Sequence, residues 1–229
     1  MQQNIPKLYV FAFLTELVFI AAVIVPFFGS FGLSMKEIMI TEAAFAGSML
    51  LFEVPSGYFA DIFGRKLSIV VGSVIWLIAI LFYSFSTTVP FFILGAVAWG
   101  IAHSFFSGAT EAMLYETLAD SGLEGKYKKV QGNAFFYGRF GSVVASVFGG
   151  LMATSFLRLS AYAMIVPALF SIVLALTLVE TKHRREIHET WKHFVTIFRE
   201  SFLHHKTIRW FIVFSSLTGF FSIDFWLKQ

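Results

Sequence analysis

The sequence predicts an all-α polytopic membrane protein, and three observations carry that reading. The 229-residue chain is 57% hydrophobic and only 14% charged, with a mean hydropathy of +0.76. A water-soluble domain of this size needs more polar surface. The apolar residues fall into seven runs, each near the roughly 20 residues that a helix needs to cross about 30 Å of hydrocarbon. The basic residues gather between alternate runs, as they do when one side of a membrane protein faces the cytoplasm. The runs do not alternate as the strands of a closed barrel would. An open sheet would leave its edge groups without hydrogen bonds in lipid.

The expected spans are 8–30, 38–60, 67–86, 90–118, 131–156, 160–179 and 208–227. The first is too long for a signal-peptide core and no small-residue cleavage pattern follows it. Spans two to six are joined by short connectors, so residues 1–180 read as an N-terminal six-helix bundle. Residues 181–207 form a basic linker that opens with "TKHRREIHETWKHF". In it Ile187, Trp191, Phe194, Val195, Phe198 and Phe202 recur at helical spacing, the pattern of an amphipathic helix lying on the inner membrane surface. Residues 208–229 make a seventh span, the start of an incomplete C-terminal bundle. The chain is therefore expected to be the front part of a longer protein.

Placing the N-terminus in the cytoplasm puts 13 of the 17 basic residues inside: Lys7, Arg65, Lys66, Lys126, Lys128, Lys129 and seven between Lys182 and Arg209. Lys36, Arg158 and Lys228 fall outside, and Arg139 lies within the fifth span. The expected location is the plasma (inner) membrane. With the charge explained by topology, the net +3 implies no nucleic-acid partner. The chain has no cysteine, which excludes disulfides, thiolate metal sites and cysteine nucleophiles. No phosphate-binding glycine loop and no H-E-x-x-H occur. His204 and His205 lack acidic companions. No cofactor, metal or enzymatic activity is expected.

The most particular stretch is "GYFADIFGRK", Gly57 to Lys66. Gly57 permits close helix packing. Asp61 and Arg65 are four apart, where opposite charges meet on a helix. Gly64 suits a tight turn, and Arg65 and Lys66 suit an anionic inner surface. A plain charged connector explains these residues one by one. Their spacing, G-x-x-x-D-x-x-G-R-K, in the second loop of a six-helix bundle followed by a basic linker, resembles the signature loop of the major facilitator superfamily of transporters. Ile62 stands where that pattern usually has a basic residue. The end of span four, "SFFSGATEAMLYETLAD", is similar to the corresponding helix end in many members. The resemblance implies that Glu116 or Asp120 lies near Arg65 and helps to latch the loop. In span four Gly100, Ser104 and Gly108 recur every four residues as a packing face. In span five Gly149 and Gly150 also read as packing positions. Ala145 and Ser146 depart from the Gly-Pro pair of many antiporters in the superfamily.

Ionisable groups inside a membrane are costly and mark functional positions. At a rise of 1.5 Å per residue, Glu16, Glu53, Glu111 and Arg139 all lie about 12–14 Å from the inner surface. Three carboxylates facing one guanidinium cannot all ionise cheaply, so one of them is suited to carrying a proton. Glu111 and Arg139, on consecutive antiparallel helices, are expected to pair, leaving Glu16 and Glu53 for coupling. A wholly structural role is the other reading of this set. His103, two turns beyond Glu111, is a weaker member, since a lone ring bonded to a neighbouring helix is the commoner case.

The resemblance implies a small-molecule substrate bound near the bilayer midplane between two bundles. Transport would follow from rocking one bundle against the other, driven by a proton or substrate gradient. It also suggests Trp76, Trp99 and Tyr137 as cavity-lining aromatics. The alternative is a non-transporting receptor or scaffold, or a truncated transporter fragment. The orientation has a direct check. Single cysteines replacing Lys36 and Lys128 should differ, with an impermeant thiol reagent on intact cells labelling position 36 and sparing 128. The reverse pattern overturns the topology.

Overall fold

The computed structural model describes residues 3–181, and every regular element among them is helical. The linker and the seventh span lie outside the described residues. Five helical segments are long and apolar enough to cross a membrane. Helix α3 (Met35–Phe63) is the second expected span, α4 (Arg65–Phe85) the third, α5 (Val89–Ala119) the fourth and α6 (Tyr127–Ser155) the fifth. The sixth is α7 (Leu157–Ala163) continued by α8 (Ile165–Leu176). Local chemistry accounts for several of these limits. Ser34 and Glu37 form a capping box that starts α3 three residues before the first expected apolar position. Pro90 sits in the first turn of α5, where its missing N–H costs nothing. The α7–α8 break at Met164 lies three residues before Pro167. Proline there removes the bond that the Ala163 carbonyl would have accepted.

The first expected span is not one helix. Helix α1 (Asn4–Thr15) stops at Glu16, a 3₁₀ turn covers Ala21–Val23, and α2 (Ile24–Gly29) resumes the course. Pro26 explains the second irregularity, because its ring displaces the Ala22 carbonyl from a regular ladder. No proline or glycine lies at the first one. There the packing of α6 intervenes. The carbonyls of Phe13 and Phe19 lie directly over Gly141 and Gly149, and the Glu16 stem lies beside Gly138. With Ala145, these glycines form the buried face of α6. A broken helix is tolerated at membrane depth when protein covers the freed backbone.

Helix α5 is the axis of the bundle, packed on one side by α3 and on the other by α4. Small residues set the approach. Gly100 lies against the Phe45 carbonyl and the Ser48 side chain, and Gly72 of α4 lies against Phe105 and Phe106. The Ser56 hydroxyl donates to the Ser104 carbonyl at 2.8 Å and the Ser68 hydroxyl to the Phe105 carbonyl at 3.2 Å. Gly108, expected on the same packing face, is exposed, with no neighbour near the place a Cβ would take. The period of four drifts against 3.6 residues per turn, and two repeats carry Gly108 off the contact.

Two apolar clusters fill the bundle. One joins Leu8, Phe11, Ala60, Ile69, Met113, Leu114 and Leu178 at the end that carries Lys7, Arg65 and Lys66. The other joins Phe27, Phe28, Trp76, Tyr83, Phe92 and Met164 at the opposite end. That end is also tied by Arg158, which donates to the Ser86 carbonyl at 2.9 Å and lies 4.4 Å from the Phe31 ring centroid.

The glycine face of α6 makes a stability prediction. A Cβ at Gly149 would meet the Phe19 backbone, whereas one at Gly150 meets nothing. Gly149→Ala should cost about 1–3 kcal/mol through forced backbone movement and lower the melting temperature in a detergent thermal-stability assay. Gly150→Ala should be neutral in the same assay. Equal effects at the two positions would remove the contact between Phe19 and α6 from the account.

Candidate functional site: a charged cavity and a tied basic end

The signature loop is built where α3 ends and α4 begins. Gly64 is the single residue between them, at φ +102°, a backbone region that L side chains rarely adopt. The immediate restart leaves the first N–H groups of α4 without a side-chain cap of their own. Glu180, after α8, supplies the acceptor. Its carboxylate accepts from the Arg65 and Lys66 backbone N–H groups, each at 3.0 Å, and lies where a Cβ on Gly64 would stand. A carboxylate at a helix N-terminus is favoured by the helix dipole as well.

The Arg65 guanidinium faces two acids. It pairs with Asp61 at 2.6 Å and with Glu116 at 3.2 Å. Thr181 donates to the second oxygen of Glu116. Asn4 closes the far side. Its side-chain amide donates to the Val179 carbonyl at 2.7 Å and to the Thr117 hydroxyl at 3.3 Å, and its oxygen accepts from the Val179 N–H at 3.0 Å. Lys7 donates to the Thr177 carbonyl at 2.6 Å. The start of α1, the α3–α4 turn, the end of α5 and the segment after α8 are thus tied at one end. Of the two acids expected near Arg65, Glu116 makes the ion pair. Asp120 is the C-cap residue of α5. Gly57, expected as a close-packing position, has nothing near the place a Cβ would occupy.

Inward from this network, α1, α5 and α6 line a half-open cavity of about 560 Å³. Glu16, Glu111, Arg139 and Lys128 line it, with Thr15, Thr110 and Gln131. Three of the four intramembrane charges expected at one level are therefore brought to one space. The expected Glu111–Arg139 ion pair is not formed. The ion pairs among the described residues are those of Arg65, and the Arg139 guanidinium instead lies 4.9 Å from the Phe135 ring centroid. Both side chains line the cavity without meeting.

The other members of the set lie elsewhere. Glu53, on an exposed part of α3, accepts from the Ser107 hydroxyl of α5 at 2.9 Å. His103 is exposed on α5, its ring 6.3 Å from that of Phe45. The aromatics named for a cavity between two bundles do not line this one. Trp76 is buried in the core, and Trp99 packs against that cluster. Tyr137 stacks on Tyr9 at 5.3 Å. Phe11, Phe106 and Phe135 take that role.

Sequence reasoning missed Glu180 and Asn4. The signal for Glu180 was present: a span that starts directly after glycine needs a borrowed carboxylate. Asn4 had no local signal, because its partners are 113 and 175 positions away. Glu42 was also passed over. It is a partly buried carboxylate of α3 in the electrostatic field of the buried Tyr83 phenol.

Fold and site together define a polytopic membrane bundle with a charged cavity, tied at one end by a signature loop. The chain belongs to the Major Facilitator Superfamily, whose family model matches residues 8–229. Among solved structures, the chain is similar to the nucleoside transporter NupG (D323A mutant), at 15% identity and a TM-score of 0.81. That match covers 94% of this chain and 54% of the other. It is also similar to a D-xylose-proton symporter, at 18% identity and a TM-score of 0.57, covering 86% of this chain and 52% of the other. The chain thus spans about half the length of these structures. No curated relative matches it.

Exposure separates the roles of the loop charges. Arg65 and Glu116 side chains are 15% and 13% exposed, whereas Asp61 is 44% exposed. Arg65→Met should cost about 1–3 kcal/mol, between the values for surface and buried pairs, because Glu116 loses its cation. Asp61→Asn should cost about 0–1 kcal/mol. Thermal unfolding of the purified variants checks the order, and a reversed order would make Asp61 the structural partner.

Proposed function

We propose that the protein is a secondary active transporter of a small molecule, working by alternating access and coupled to protons. The observation that carries this reading is the cavity, where Glu16, Glu111 and Arg139 lie at membrane depth without an ion pair among the described residues. A bundle that needed these groups only for stability would pair them, because an isolated charge in low dielectric is expensive. The interrupted first span supports the same reading. Transporter sites are commonly built at broken helices, whose freed backbone lines a water-filled space. Both solved structures named above are described as transporters, and one as a proton symporter.

In this reading the tied end faces the cytoplasm of the plasma membrane, as the basic residues require. Alternating access needs a second bundle to rock against. A C-terminal bundle, from a longer chain or a second subunit, is the partner proposed for that role. The loop around Asp61 and Arg65 would stabilise one of the two arrangements. Its small expected contribution to stability leaves Asp61 free to act on that balance. Glu16 and Glu53 are the proposed proton carriers. Glu16 is in the cavity at the break in the first span, and Glu53 is reached by a hydroxyl rather than a cation.

The test uses full-length protein in proteoliposomes. With a transported substrate in hand, Glu16→Gln or Glu53→Gln should abolish uptake or efflux driven by a pH gradient and spare substrate exchange, which moves no net protons. Asp61→Asn should slow net transport at unchanged abundance. Full gradient-driven transport in both Gln variants removes proton coupling through these groups. Absence of any flux across a broad substrate screen favours the receptor or scaffold reading.

A further inference from the structure

The cavity carries two charges of each sign. Glu16 and Glu111 are its carboxylates, and Lys128 and Arg139 its cations. Among the described residues none of the four is in an ion pair. Arg139 rests on the Phe135 ring, and that contact leaves its N–H donors unused. Lone charges in a space walled by Leu8, Phe11, Phe106, Leu114 and Phe135 need a counter-charge or water. Helix α1 also ends at this space with Thr15 and Glu16, and the end of a helix carries partial negative charge.

We propose that this cavity binds a zwitterion with an apolar body, its cationic end against Glu111 and Glu16 and its anionic end against Arg139. The inference rests on the transport reading above and names the substrate class for the same cavity. A neutral solute would leave all four charges unmatched. A simple cation or anion would satisfy one sign and add net charge at membrane depth, which is costly. A zwitterion satisfies both signs and adds none. The apolar wall suits a hydrophobic middle. About 560 Å³ falls within the roughly 300–1,000 Å³ usual for small-molecule pockets.

The test measures binding by calorimetry to full-length protein in lipid nanodiscs. The probes are leucine, phenylalanine and phenylalanyl-leucine, each as the free zwitterion, the C-terminal amide and the N-acetylated acid. For at least one scaffold the zwitterion should bind about tenfold or more tighter than both blocked forms, the scale of one lost charged contact. Arg139→Gln should erase the advantage of the free carboxylate and keep that of the free amine. Glu111→Gln should do the reverse. Where Glu111→Gln does not fold, Glu16→Gln removes the same sign from the same cavity; where Arg139→Gln does not fold, Arg139→Lys is measured in its place and, by keeping the charge, should keep the carboxylate preference. No zwitterion preference in any scaffold overturns the proposal. So do substitutions that weaken all three forms equally, which would mean that the charges serve only the fold. Uptake is measured in parallel. A charge preference without gradient-driven flux would sink the transport reading and leave the binding class standing. Flux of blocked forms without charge preference would do the opposite.

Discussion

The backbone freed where the first span breaks has to be covered inside the bundle, and the glycine face of α6 is what covers it. Lipid offers no hydrogen bonds, so an interrupted helix survives only against protein or a water-lined space. Here it has both. Phe13 and Phe19 present their carbonyls to Gly141 and Gly149, while Glu16 turns to the cavity. Any side chain at those two glycines would push α1 away from α6. The position of the cavity depends on that contact, since α1 and α6 supply two of its three walls.

The tied end works by a different physics. Helix packing alone does not hold the ends of spans, because terminal N–H and C=O groups lack intrahelical partners. In this chain they are joined across long sequence separations instead. Glu180 completes α4, Asn4 completes the segment at Val179, and Arg65 bridges α3 and α5 through Asp61 and Glu116. Each bond alone is worth little at a surface. As a network with buried Asn4 and a mostly buried Arg65–Glu116 pair, they hold four segments together at one end of the bundle. The opposite end lacks this design. It is filled by aromatic rings around Phe28 and Phe92, with Arg158 laid over Phe31.

Much of the fold was legible in the sequence. Apolar run lengths located α3 to α8 within a few residues, because bilayer thickness fixes the length of a span whatever it packs against. Pro90, Pro167 and the Ser34–Glu37 box set their own local boundaries. The signature loop was legible too, since Gly64 and the Asp61–Arg65 spacing are local devices that need only a turn and a helix. Membership of the superfamily followed from that loop and the order of the spans. The gathering of Glu16, Glu111 and Arg139 was legible in part, as a depth along each helix.

Depth is only one coordinate, and the tertiary structure decided the others. Rotation about each helix axis put Glu53 and His103 outside the cavity and Gly108 off the packing face. The expected Glu111–Arg139 pair is absent, and the two side chains line one cavity instead. The carbonyls around the break at Glu16 meet glycines of α6 more than a hundred residues away, and no local residue announces that contact. Glu180 and Asn4 owe their roles to partners as distant. A sequence fixes what each helix is through spacing and span length; which faces meet depends on three-dimensional packing among helices that are all apolar enough to have met differently.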